Sequence, residues 1–172
     1  HPLVIVYGTE GDAAYRKVMR RQAEAEAADW RAIGDGPLAD LSGVKVVPDS
    51  AVTETDRREA HLIVIGKPGA NRLMDELAGR LPVRFGGDGS VTIGGRSIAG
   101  TDLVTITNQR SPWNPERLLR TWSGSTPAAM ALPYGESASG GNFPLMNAAW
   151  VARRGRLLAW SDAGTRDRRR YD

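Results

Sequence analysis

The chain has 172 residues, 41% hydrophobic and 25% charged, with a formal net charge of +3. That length fits one domain able to bury about 70% of its unfolded surface, and the composition is that of a folded globular chain, neither disordered nor fibrous. No apolar run approaches the ~18 residues of a membrane span, and the absence of cysteine removes disulfides, thiolate metal sites and a cysteine nucleophile.

Arg166, Arg168, Arg169 and Arg170 against Asp167 and Asp172 put a net +2 in the last seven residues and leave +1 for the rest. A nearly neutral body argues against a nucleic-acid-binding face. Residues 165–172 are therefore expected to form a basic, flexible tail after a single domain at 1–164. The chain begins at His1 and shows no signal-peptide pattern, so it is expected to be a piece of a longer protein.

Leu3 to Tyr7 is a continuous apolar run closed by Gly8, the pattern of a strand covered on both faces, and it is expected to be the central one. Thr9 and Asp12 form a Thr-x-x-Asp variant of the capping box. Met19, Ala23, Ala27, Trp30 and Ile33 then follow at helical spacing, up to Gly34. Gly36-Pro37 and Ser42-Gly43 bracket a loop before Val44 to Val47, a short strand stopped by Pro48. Thr53 to Ala60 is polar and helix-compatible, and Leu62 to Ile65 is a second continuous apolar strand. Asn71 caps a helix whose Leu73, Met74, Leu77 and Leu81 share a face, with Pro82 ending it before a strand at Val83 to Phe85.

The second half changes character. Gly94-Gly95 between Val91–Ile93 and Arg96–Ile98 is a two-residue hairpin signal. Leu103 to Thr107 reads as a strand, Asn108 to Pro115 as turns, and Leu118 to Trp122 as a further strand. Residues 134–144, dense in Gly, Ser and Asn, read as a mobile loop, and Trp150–Ala152 with Leu157–Trp160 form a closing hairpin across Arg154-Gly155. Alternating strands and helices followed by hairpins predict an α/β fold, a three-layer sandwich whose mostly parallel central sheet has the first and third strands innermost and antiparallel additions from the second half.

Catalytic motifs fail on inspection. Gly95-Arg96-Ser97-Ile98-Ala99 lacks the last glycine of a nucleophile elbow and lies in a hairpin, whereas the elbow needs a strand-to-helix turn. Besides His1, the only imidazole is His61, at the entrance to an apolar strand, where a partly buried structural residue is the ordinary reading. Paired histidines and a calcium loop are both missing, so no metal and no cofactor are expected. Gly66-Lys67-Pro68-Gly69-Ala70-Asn71 joins a strand to a helix and carries a lysine, but Lys67 precedes the glycine it follows in a phosphate loop. Helix N-termini and the C-terminal ends of parallel strands attract anions, so Thr9, Lys67, Asn71, Ser125 and Thr126 are the candidate ligand-binding residues. Thr9 and Asn71 read equally as plain helix caps. Trp113, beside Pro112 and Pro115, is the tryptophan expected to be exposed and able to stack a sugar.

The order of Val4-Ile5-Val6-Tyr7-Gly8-Thr9, Leu62-Ile63-Val64-Ile65-Gly66-Lys67-Pro68 with Asn71 and Leu73, Leu81-Pro82-Val83-Arg84-Phe85, Asn114-Pro115-Glu116-Arg117 and Ser123-Gly124-Ser125-Thr126 resembles a C-terminal α/β module of large bacterial secreted proteins. That module follows a serine-hydrolase domain of the prolyl-oligopeptidase or esterase kind, and the resemblance runs from Leu3 to about Asp162. Ser111-Pro112-Trp113 and the polar stretch from Glu136 to Asn142 depart from it. The resemblance implies a non-catalytic, extracytoplasmic accessory domain whose partner is the upstream hydrolase domain of the same parent chain, and it transfers no catalytic residue. The alternative, from the residues themselves, is a module binding a phosphorylated or otherwise anionic small molecule at the strand ends.

Overall fold

The computed structural model describes residues 2–34, 43–131, 148–154 and 156–162. The chain opens with β1 (Leu3–Tyr7), α1 (Ala13–Gly34), β2 (Val44–Pro48), a 3-10 turn at Asp49–Ala51, α2 (Glu54–Glu59), β3 (His61–Ile65) and α3 (Arg72–Leu77). It continues through β4 (Val83–Phe85), β5 (Val91–Ile93), β6 (Arg96–Ile98), β7 (Leu103–Arg110), β8 (Leu118–Gly124), α4 (Pro127–Met130), β9 (Ala148–Arg153) and β10 (Arg156–Asp162). Seven strands form one sheet in the order β10-β9-β7-β8-β3-β1-β2, while β4-β5-β6 form a separate antiparallel sheet. Five of the seven run in one direction, with β7 and β10 opposed, so the main sheet is mostly parallel and the antiparallel additions come from the second half.

The two apolar runs behave as their composition requires. β1 and β3 lie side by side inside the sheet, and Val4, Ile5, Val6, Val64 and Ile65 are buried almost completely. The central position nevertheless falls to β8, a correction to the expectation for β1, because the β7–β8 hairpin enters beside β3 and brings β9 and β10 with it. A second correction concerns β4, which leaves the parallel sheet for the small one. There Gly94 and Gly95 turn the chain with φ of 56° and 80°, the left-handed pair that a two-residue hairpin needs.

Alternation along the strands divides the apolar residues between two cores. Leu3, Ile5, Ile63, Ile65 and Trp122 pack with Tyr15, Met19, Ala23 and Ala27 of α1 and Met130 of α4. Val4, Val6, Leu62, Val64, Leu103 and Leu119 pack with Leu73, Met74 and Leu77 of α3 and with Val83, Val91 and Ile93 of the small sheet. α1 and α3 therefore cover opposite faces. Ala23 and Ala27, small side chains one turn apart, let α1 lie close to the sheet.

The cap of α1 differs from the expectation. Asp12 accepts the Tyr15 amide at 2.8 Å and is itself the N-cap, which frees Thr9 for another partner. Thr53 and Asp56 do form a reciprocal capping box on α2. Asn71 caps α3 by accepting the Leu73 amide at 2.9 Å, but that helix ends at Leu77 and reaches the buried Leu81 through turns rather than running on to Pro82. Residues 134–144, the loop at Gly36-Pro37 and the 165–172 tail lie outside the described residues. Among the described residues no helix is long and apolar enough to cross a membrane.

Candidate functional site

In an open α/β sheet the crevice for a ligand opens where successive crossovers leave in opposite directions, here beyond β1 and β3. That crevice is filled by the protein itself. The Gly8 amide donates to the Ile65 carbonyl at 3.1 Å and the Glu10 amide to that of Ala70 at 3.2 Å, drawing the two strand-to-helix turns together. Gly8 is required for this, because a Cβ there would overlap the Ala70 carbonyl.

The helix N-termini expected to hold an anion are satisfied internally. Asp49, 4% exposed, accepts the Thr9 hydroxyl at 2.6 Å and the Arg72 amide at 2.8 Å. Asn71 is fully buried and, besides its cap, donates from Nδ2 to the Ile65 carbonyl at 2.9 Å. Asp75 accepts the Gly69 amide at 2.7 Å. Thr126 caps α4 through the Ala129 amide. Thr9, Asn71 and Thr126 are thus engaged in holding turns and helix starts, and an internal carboxylate stands where an external anion was expected.

Lys67 and Ser125 do come together, because β3 and β8 are neighbours. Lys67 Nζ donates to the Ser125 carbonyl at 3.1 Å and sits 5.1 Å from the centre of the Tyr15 ring. Tyr15 is fixed in turn by donating its hydroxyl to the Gly124 carbonyl, and burial pushes its phenol well above the ordinary range, so it stays neutral. Lys67 and Ser125 line a cleft of about 290 Å³, shifted one strand along from the filled crevice. It is lined by Lys67 and Pro68, by Phe85, Gly86, Gly87, Gly89, Ser90 and Val91 around the β4–β5 turn, and by Leu103, Thr105, Ser123 and Ser125 of β7 and around the end of β8.

Sequence reasoning missed Thr105, Ser123 and the β4–β5 wall. Thr105 and Ser123 face each other across the β7–β8 ladder. The Ser123 hydroxyl donates to the Gly66 carbonyl at 2.5 Å, whereas the Thr105 hydroxyl is buried and makes no hydrogen bond among the described residues. Ser125 Oγ accepts the Leu103 amide at 3.0 Å and donates to the Thr101 carbonyl. One signal was visible: polar threonines and serines at alternate positions of two strands, on the same face as Leu103 and Leu119.

The other singled-out residues lie elsewhere. His61 is at the opposite end of β3, and its Nδ1 accepts the Leu118 amide at 3.0 Å. Trp113 is not the exposed platform expected: it is half-buried against the core, with the Arg57 guanidinium 5.2 Å from its ring centre. Arg57 is held there by a two-pronged pair with Glu76. No protein-family model and no curated protein matches the chain.

Proposed function

We propose that this chain is a binding module for a small organic anion, seated in the cleft between Lys67, the β4–β5 turn and the ends of β7 and β8. The observation that carries the reading is Lys67. Lys67 is half-buried, lines the cleft and makes no ion pair among the described residues, so the charge of its ammonium is balanced there only by a carbonyl dipole and a ring face. A carboxylate or phosphate there would gain charge-assisted hydrogen bonds from a donor already held in place.

The module is non-catalytic in this reading. His61 has its Nδ1 occupied at the far end of the sheet, away from every hydroxyl in the cleft. Motif order further supports an accessory role beside a secreted hydrolase, with α1 and α4, the main sheet, and α3 with the small sheet as the layers of a three-layer sandwich. Ester, peptide or phosphate turnover by the purified domain that disappears in His61→Ala would overturn the non-catalytic reading.

The anion reading is tested by thermal shift with inorganic phosphate and glucose 6-phosphate. Ligand at a hundred times its dissociation constant adds about 2.7 kcal/mol of stability. Lys67→Ala should weaken binding at least several-fold and leave the fold intact. If truncation after Gly164 abolishes the shift and Lys67→Ala does not, the anion belongs to the arginine-rich tail and the assignment is wrong.

A further inference from the structure

The cleft has a second polar determinant that no charge argument predicts. Thr105 is 1% exposed, lines the cleft, and its hydroxyl has no partner among the described residues. A buried O–H without an acceptor is destabilising, and such groups are rare in native interiors. No oxygen among the described residues accepts from it. The Ser123 hydroxyl, opposite Thr105 in the ladder, points its proton at the Gly66 carbonyl, and Ser125 Oγ both accepts from Leu103 and donates to Thr101. One ladder step along, Thr107 solves the same problem by bonding Thr121 at 2.7 Å. A threonine at 107 therefore has a structural partner, while the one at 105, beside the cleft, is left over.

We infer that Thr105 is a specificity-determining residue for the ligand proposed above, and that the ligand is an anion whose uncharged part carries a hydroxyl or carbonyl oxygen for the Thr105 hydroxyl to bond. Lys67 takes the charge. Phe85, Val91 and Leu103 line the same cleft and add apolar surface against which the neutral part of the ligand packs. A site that hydrogen-bonds a ligand oxygen discriminates strongly against the analogue lacking it, because its own polar group is otherwise left unpaired. Sugar phosphates have the required chemistry, since they combine one charged group with several neutral oxygens.

This inference rests on the anion reading, and calorimetric titration of the purified chain separates the two. The probes are glucose 6-phosphate, hexyl phosphate and inorganic phosphate, titrated into the wild type, Lys67→Ala, Thr105→Val and Thr105→Ser. Lys67→Ala should weaken all three probes. Thr105→Val, equal in size and lacking the hydroxyl, should lower glucose 6-phosphate affinity about tenfold, spare the other two, and be rescued by Thr105→Ser. In the wild type, glucose 6-phosphate should bind more tightly than hexyl phosphate, a comparison that needs no variant to fold. If no probe binds, or Lys67→Ala changes nothing, the anion reading itself fails. If binding depends on Lys67 but hexyl phosphate matches glucose 6-phosphate, or Thr105→Val leaves their ratio unchanged, the role of Thr105 alone is overturned.

Discussion

Thr9 donates its hydroxyl to Asp49 at 2.6 Å, and the second Asp49 oxygen accepts the Arg72 amide, so one buried carboxylate ties the turns after β1, β2 and β3 together. Hydrogen bonds to a buried charged group contribute about 1.5–3 kcal/mol each. Asp49→Ala should cost about 3 kcal/mol in urea unfolding. Asp49→Asn, which keeps an acceptor for Arg72 and offers Thr9 a donor, should cost less than half of that. An alanine variant as stable as the wild type would show that the carboxylate organises nothing.

Burial, helped by the charge of Arg117, holds the His61 imidazole below its ordinary value of 6.5. The unfolded chain therefore accepts a proton that the folded chain refuses. This contribution to stability is complete above pH 6.5 and declines as pH falls from there toward the folded value. Melting temperature measured from about pH 7.5 to about pH 5.5 should fall more steeply for the wild type than for His61→Gln. Parallel curves would remove His61 from the pH response.

Thr107 and Thr121, both fully buried, share a hydrogen bond across the β7–β8 ladder. Thr107→Val alone strands the Thr121 hydroxyl and should cost about 1–3 kcal/mol. The double valine variant should recover most of that loss, because two matched apolar groups replace a matched polar pair. A double variant as unstable as the sum of the singles would mean that packing, not pairing, sets the cost.

Gly8→Ala drives a methyl into the Ala70 carbonyl and should destabilise by about 3 kcal/mol or more, because backbone rather than a flexible side chain would have to yield. Gly79→Ala adds a methyl to open space and should change stability by no more than about 0.5 kcal/mol. Equal effects at the two positions would contradict the close approach of the two turns.

The parts of this fold legible in the sequence were those set by local chemistry. Continuous apolar runs at 3–7 and 62–65, the Asn71 cap and the Gly94-Gly95 turn all declare themselves within a few residues. Pairing across long intervals did not. Nothing near Val83 says that its strand leaves the parallel sheet, and nothing near Thr9 says that Asp49, forty residues on, will claim its hydroxyl. The candidate site followed the same division: Lys67 and Ser125 stood out by position, while Thr105 emerged only when the β7–β8 register showed which hydroxyls have partners.

The parallel join between β3 and β8 has a consequence for how the protein assembles. Leu62 to Ile65 and Leu119 to Trp122 register across it, and within the sheet β7 to β10 join β1 and β2 through that strip. It is fastened at one end by His61 and Arg117, and at the other by Gly66, Ser123 and Lys67. The cleft straddles the same join, with Lys67 on the early side and Thr105, Ser123 and Ser125 on the late side. A molecule bound there touches both halves at once and has no complete site on either alone. Occupancy would therefore slow amide exchange across the β3–β8 strip as a cooperative unit, making the ligand a rivet across that seam.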